Sequence, residues 1–373
     1  MQLSYWEYKT WFSHVDFTVI GSGIVGLNCA LQLKQRHPKS SVLVLEKGSL
    51  PQGASTKNAG FACFGSISEI LSDLKSHSEE EVVQLVQKRW DGIQHLRQLL
   101  GDDAIGFEQH GGHELFVEHN PELYKNCLDE MGRLNKMLQP IFGQNPFVTH
   151  QNSFGFGNIK EHYITHQFEG QLDTGKMMQA LIQKCLSVGI PVLNGVEVDT
   201  VQEKGQGATV ITKDFEFSSK KVFVATNGFA SQLLPAETIQ PARAQVLVTE
   251  PIKNLKIKGT FHFDEGYYYF RNIDDRILFG GGRNLDFKGE ETTEFGQTPI
   301  IQDKLEELLK EIILPHQRVK IDRRWSGIMG VGGQKSPIVK RISHSIFCGV
   351  RLGGMGVALG SFVGKELAEL ADG

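Results

Sequence analysis

The stretch "DFTVIGSGIVGLNCALQL", Asp16 to Leu33, decides the fold. Val15 to Ile20 is a short apolar run of the kind that forms a buried strand. It meets three glycines spaced G-x-G-x-x-G, and from Ile24 to Lys34 apolar residues recur at helical spacing. Gly21 permits a tight turn after the strand, Gly23 lets backbone approach a pyrophosphate, and Gly26 lets the helix pack closely on the strand. The free N–H groups and the positive dipole end at the helix start then favour an anion. A second strand, "SVLVLEKG", ends at Glu46, about 20 residues after Gly26, where a carboxylate accepts hydrogen bonds from ribose hydroxyls and repels a 2′-phosphate. NADP is thereby disfavoured, while NAD and FAD both stay open on this motif alone.

The remaining composition narrows the class. The chain has 373 residues, 40% hydrophobic and 22% charged, enough for one or two sizeable cores. A net charge of -4 gives no basis for a nucleic-acid or anionic-membrane partner. Five scattered cysteines without a C-x-x-C pair suit a reducing cytosol rather than disulfides or a structural zinc site. His162 and His166 lie four apart, and His110 and His113 flank two glycines, but neither pair has a carboxylate ligand pattern, so no metal site is expected. No apolar run approaches the roughly 18–20 residues of a membrane span, and the expected location is cytoplasmic. The opening residues lack the basic and apolar regions of a signal peptide. Their aromatics, Tyr5 to Phe12, are expected to form a short lead-in helix packed on its own domain, with an interfacial anchor as the alternative.

Along the chain, Ser78 and Glu81 have the spacing of a capping box at the head of a helix running to about Leu100. Further helices are expected over Pro121–Met137, from Thr174 to about Val188, over Ile300–Ile313 and over Val357–Leu370. "IPVLNGVEVDTV", "KKVFVATNGFA" and "SIFCGV" are strand-like, and Pro241 to Gly282 is strand-rich. Nucleotide-type β–α elements stand at the start, middle and end with different material between them. The expectation is an α/β fold in which a Rossmann-like domain (15–75, 166–240 and 322–373) interleaves with an α+β domain built on an antiparallel sheet (76–165 and 241–321), after a lead-in at 1–14.

"GASTKNAGFACFGS", Gly53 to Ser66, resembles the second signature of the D-amino-acid oxidase-like flavoproteins, the group that includes glycine oxidase and sarcosine oxidase. "EGQLDTGKMMQAL", "NGVEVDTV", "VFVATNGFASQLL", "PARAQVLVTE" and "GVRLGGMGVALGSFVGKELAEL" resemble further family segments in the same order, so the likeness spans nearly the whole chain from Asp16 on. The resemblance implies FAD, with Ser55, Lys57, Asn58 and Gly60 along the flavin, Val196 meeting the adenine, and Thr226 and Gly228 in the strand-turn. Gly353, Gly354, Met355 and Gly356 stand by the flavin ring. There a positive helix end stabilises the anionic reduced pyrimidine edge.

Flavoproteins of this kind oxidise a carbon bearing nitrogen, the cofactor carrying the redox chemistry while the protein orients the substrate. The resemblance therefore implies oxidation of an amine or amino acid by hydride transfer, with O2 or a redox carrier as acceptor. An FAD-dependent 2-hydroxy-acid or polyol dehydrogenase is the alternative, which needs a base such as His113 or His262 for the hydroxyl proton. A third possibility is an FAD-holding module that never turns over. In "GYYYFRNIDDRILFGGGRN", Tyr267, Tyr269 and Arg271 point to one side of a strand and Tyr268 and Phe270 to the other. The first set is expected to wall the substrate, with Arg351 as a second cationic candidate. The chain departs from the family pattern in "RRWSGIMGVG", where Met329 takes the place of a carboxylate-binding arginine. That leaves Arg271, Arg283 or Arg351 for the task, or an amine without a carboxylate. The same stretch has no Cys or His, so a non-covalent flavin is expected. Leu278 stands where some members carry a lysine that assists oxygen.

Overall fold

The computed structural model describes residues 3–372. Its first sheet runs parallel at the centre in the order Ile346–Val350, Glu216–Val224, Val15–Ile20, Val42–Glu46 and Val192–Asn194. Ile338–Arg341 closes one edge antiparallel, and the hairpin Val198–Lys204/Gly207–Thr212 extends from Glu216–Val224. Both faces of the central strands Val15–Ile20 and Val42–Glu46 are covered, so these are buried almost throughout. Phe17, Val19, Val44, Phe223 and Phe347 pack beneath the helices Ile24–Arg36, Thr174–Ser187 and Gly356–Glu369. Leu43, Leu45, Val222 and Val224 face an opposite core with Phe12, Val210 and Phe217.

The second sheet has the order Ile321–Val331, Gln240–Thr249, Arg276–Gly281, Tyr268–Ile273, Thr260–Phe263, Gly112–Glu114, His162–His166 and Phe147–Gln151. Its pairs are antiparallel except where Thr260–Phe263 meets Gly112–Glu114. One face packs on the helix Pro299–Leu308 through Leu247, Phe261, Phe270 and Phe279. A short ladder, Phe61–Ala62 with Gly170–Gln171, lies apart from both sheets.

Two placements differ from the sequence expectation. Ile321–Val331 pairs along its length with Gln240–Thr249, so residues 322–331 belong to the second sheet rather than to the C-terminal nucleotide-type segment. The helices Glu79–Leu100 and Pro121–Phe142 share the core of the first sheet, although the segment 76–165 reads as part of the other domain. The second of these helices also runs past the expected stop at Met137, through Pro140. Lys136, whose carbonyl would accept from residue 140 in an unbroken helix, is on the exposed side, and Phe142 anchors the end among Phe64, Trp90 and Phe168. In the lead-in Phe12 packs inward on Phe215 and Phe217, and Leu3 packs against the same core, while Tyr5 and Trp6 are 67% and 70% exposed.

Candidate active site

The glycine loop is shaped by close contacts. Gly21 has φ +104° and donates to the Leu45 carbonyl at 2.8 Å. A Cβ on Gly26 would stand 1.9 Å from the Gly21 carbonyl oxygen, and one on Gly23 would stand 2.8 Å from Ser55 Oγ. Only glycine lets the helix start this near the strand. Ser55 Oγ accepts from the Ile24 N–H at 3.0 Å, placing that hydroxyl at the helix start.

Gly21, Gly23, Glu46, Ser55, Val196 and Thr226 line one cavity at the carboxyl ends of the central strands, where ligands of open α/β sheets bind. Glu46 is buried; Oε2 accepts from Ser22 N and Oγ at 3.1 and 2.8 Å, and Oε1 from Gly48 N at 3.0 Å. The Val196 N–H donates to the Glu46 carbonyl at 2.9 Å. Thr226 Oγ1 is buried without a hydrogen-bond partner among the described residues. A buried hydroxyl left in that state costs free energy that a bound ligand relieves. Gly228 lies behind the cavity, against the Met329 carbonyl.

A second glycine loop faces open space. A Cβ on Gly353, Gly354 or Gly356 would meet no described atom within 4 Å, although Gly353 donates to the Gly330 carbonyl at 3.0 Å. Asn227 Oδ1 fixes the approach to this loop by accepting from Arg351 N at 3.0 Å and Leu352 N at 3.2 Å. Sequence inspection missed this residue; the signal was an asparagine before glycine in "VATNG", here with φ +44°. Met355 Sδ lies 3.9 Å from Cys63 Sγ, which joins the loop to the segment after Gly60. Burial, helped by the nearby Glu169 and Glu69, pushes the Cys63 thiol well up, so it stays protonated. The open backbone of this loop, the orphaned Thr226 hydroxyl and the cavity over the first loop fit a dinucleotide carrying a large ring.

Between the loops, Asn58 works on its own segment. Nδ2 donates to the Ser55 carbonyl at 2.9 Å, and Oδ1 accepts from Gly60 N at 2.8 Å and Thr174 Oγ1 at 3.0 Å. The Lys57 carbonyl accepts from Trp325 Nε1 at 3.0 Å, tying this segment to the second sheet. Gly60 has φ +73°, and Arg271 Nη1 donates to its carbonyl at 3.0 Å and to that of Leu172 at 2.8 Å. The Arg271 guanidinium is thus spent on buried backbone. Burial, partly offset by Asp173, Glu108 and Asp274, brings its pKa down to about 10.

The register of the second sheet sets one row side by side: Glu114, His262, Tyr269, Gly280, Val246 and Trp325. Tyr269 lies over Gly280 and edge-on to Phe61 at 5.7 Å, while Tyr268 and Phe270 point into the opposite core. Burial pushes the Tyr269 hydroxyl up to about 12, so it is a hydrogen-bond donor at neutral pH. Tyr267 is 41% exposed, outside this row, near Phe287. Arg351 turns away from it: Nη2 donates to the Ser336 carbonyl at 3.1 Å. Arg283 lies by Phe287, with its Nε buried and unpartnered among the described residues. His262 is held below its usual pKa by burial, against the opposing charge of Glu69, and Glu114 is raised by burial to about 7. His113 points to the other side, against Phe261 at 4.6 Å, with burial and its histidine neighbours taking it down to about 3.

Residues 16–370 match the model of the family described as FAD dependent oxidoreductase. The probable oxidoreductase OrdL of Haemophilus influenzae is 23% identical over 382 residues, covering 96% of this chain and 83% of that protein. Two solved structures share the fold. The L-proline dehydrogenase of P. horikoshii has a TM-score of 0.75 at 19% identity, over 96% of this chain and 93% of that one. The glycine oxidase of Geobacillus kaustophilus has a TM-score of 0.76 at 18% identity, over 96% and 94%. The chain belongs to the FAD dependent oxidoreductase family, and FAD is its cofactor.

Proposed function

We propose that this FAD-dependent oxidoreductase oxidises the C–N bond of a small amine or amino acid. The observation that carries this is the row Glu114–His262–Tyr269, which meets Phe61 through Tyr269 in the segment that Cys63 joins to Met355 of the open glycine loop. In this reading the Gly21/Gly23 turn and the head of the Ile24–Arg36 helix hold the pyrophosphate, Glu46 the ribose and Val196 the adenine. Ser55, Lys57, Asn58 and Gly60 run along the flavin, Thr226 contributes its free hydroxyl, Gly228 seats the turn, and Gly353 to Gly356 offer backbone N–H groups to the ring. FAD, when bound, accepts the hydride equivalent, and the imine left on the substrate hydrolyses in water.

The chain's residues do the positioning. Phe61 and Tyr269 wall the reacting carbon, and the protonated Tyr269 hydroxyl donates to a substrate acceptor. His262 can take the proton that a substrate ammonium must lose, and the Glu69 carboxylate, whose charge favours a protonated His262, steadies the imidazolium that results. Arg271 is committed to backbone carbonyls, whereas Arg283 and Arg351 each keep a buried Nε without a partner among the described residues, a donor free for a carboxylate. This favours amines, or acids whose carboxylate reaches Arg283 or Arg351. The thiol of Cys63 is held protonated and Trp325–Met329 carries no Cys or His, which supports a flavin that is not covalently attached.

One observation favours a second reading, oxidation of a 2-hydroxy acid or polyol: a neutral histidine, His262, stands next to Tyr269. His113, its partner in that expectation, faces the aromatic core. Anaerobic mixing of the holoenzyme with amines, amino acids and hydroxy acids separates the two. Bleaching of the flavin by nitrogen compounds alone supports C–N oxidation. Bleaching only by hydroxy acids, abolished in His262→Ala, replaces it.

A further inference from the structure

The segment 286–298 leaves the second sheet after the strand Arg276–Gly281 and ends at the helix Pro299–Leu308. Its middle is fastened from below. Glu290 is fully buried, and Arg243 reaches it with two donors, Nη2 to Oε1 at 2.7 Å and Nε to Oε2 at 2.9 Å. Gln245 Nε2 donates to the same Oε1 at 3.0 Å, and Gln245 Oε1 accepts from Thr298 N at 3.0 Å. Further along, Arg243 Nη1 donates to the Glu294 carbonyl at 3.4 Å, and Gly296 N donates to Ser326 Oγ at 2.9 Å. A two-pronged ion pair this deeply buried fixes geometry more than it adds stability. The residue held between the last two bonds is Phe295, an aromatic that is 43% exposed.

Phe295 belongs to a larger arrangement. Its ring lies 6.2 Å from that of Phe229, and the Lys57 ammonium stands 5.1 Å from its centroid. The Lys47 ammonium stands 3.9 Å from the Phe229 centroid. Lys47 and Phe229 both line the cavity of the first glycine loop, together with Gly21 and Ser55. They follow Val42–Glu46 and Glu216–Val224, the strands on either side of Val15–Ile20, so their contact spans the carboxyl end of that strand. Ring faces attract cations, and here two adjoining rings are held between two ammoniums. The four side chains form an arch at the cavity, and Phe295 alone is brought to it by a segment of the second sheet.

We propose that the strap 286–298 is the outer wall of the FAD site. Phe295 packs on Phe229 to retain the dinucleotide, and Glu290, acting through Arg243, is the positioning residue that keeps Phe295 in place. The proposal goes beyond C–N oxidation and does not depend on it, since it concerns how the cofactor is kept and not what it oxidises.

Holoenzyme carrying radiolabelled FAD is chased with excess unlabelled FAD, and the label still bound is counted with time. Phe295→Ala is expected to release FAD about tenfold faster than wild type, the scale of one aromatic contact together with its cation. The rate at which the apoenzyme binds FAD, followed by tryptophan quenching, is expected to hold, so the Kd weakens by the same factor. Phe295→Tyr keeps the ring and restores slow release. Glu290→Gln is expected to speed release as well, and adding Phe295→Ala to it changes little, because the ring has already lost its seat. Unchanged release in Phe295→Ala overturns the wall, and it does so even if Glu290→Gln fails to fold. Release and binding accelerated in equal measure would make the strap a gate that holds nothing, which overturns it too. Neither result touches C–N oxidation, which the bleaching panel decides separately.

Discussion

At Arg271 one guanidinium holds two backbone turns together. Its bonds to the Gly60 and Leu172 carbonyls fasten the segment around Gly60 to the second sheet in a place water does not reach. Arg271→Met keeps most of the stem and removes both bonds, leaving the Gly60 carbonyl with the Leu172 N–H at 2.9 Å and the Leu172 carbonyl without the guanidinium. It is expected to cost about 1–3 kcal/mol, the scale of one buried carbonyl left unpaired, and to lower FAD occupancy. Denaturant midpoints and flavin-to-protein ratios measure both; unchanged stability with a raised KM for amino acids would instead make Arg271 a substrate anchor. The sequence shows an arginine on the tyrosine face of a strand, but not that two distant carbonyls end on it. The same limit hid Asn227, whose partners lie 124 and 125 residues away. Gly26, by contrast, was legible, because its contact is with Gly21 in its own motif.

Elements show the same division between local and distant causes. The capping box at Ser78 and Glu81 forms as its spacing predicts, with Ser78 N donating to Glu81 Oε2 at 2.8 Å. Ser78→Ala should cost about 1 kcal/mol, seen as a lower unfolding midpoint with flavin content unchanged. That helix then crosses Gly356–Glu369 at Gly92, where a Cβ would lie 1.9 Å from the Ala358 carbonyl oxygen and Ser361 Oγ donates to the Gly92 carbonyl. Gly92→Ala is expected to cost about 1–3 kcal/mol by overpacking. It should also loosen FAD, since the second helix starts at the open glycine loop; full stability and flavin retention would refute the close crossing. Helix starts were readable because caps are local. The sheet that Ile321–Val331 joins was not, because "IDRRWSGIMGV" does not carry its partner's register.

The whole molecule buries an unusual set of titratable groups around the second sheet. Burial lowers His166 and His113 from 6.5 to about 3 and raises Glu114 and Glu169 from 4.5 to about 7. Between pH 6.5 and 3 the unfolded chain binds protons that the folded histidines refuse, so their contribution to stability is lost as pH falls. Between pH 4.5 and 7 the folded glutamates keep protons that the unfolded chain has released, so theirs is lost as pH rises. The two oppose each other from 4.5 to 6.5, and the glutamates alone act above that. His166→Phe is expected to flatten the acid limb and Glu169→Gln the alkaline one, in unfolding midpoints taken from pH 4 to 8. Parallel curves for both variants and wild type would contradict these burials. None of this was visible in composition, because the charged form a buried group adopts depends on neighbours brought in from several strands. The interleaving of two sheets was visible, because the strand–glycine–helix signals recur at three separated places.

The central claim, C–N oxidation at the site between the glycine loops, is tested most directly by one anaerobic turnover. The holoenzyme is mixed with a nitrogen-labelled amine, and free ammonia or amine is counted against flavin reduced. One labelled nitrogen released per flavin bleached, with the matching carbonyl product, is the predicted result. A flavin bleached with no nitrogen released, or bleached only by a hydroxy acid, would contradict it.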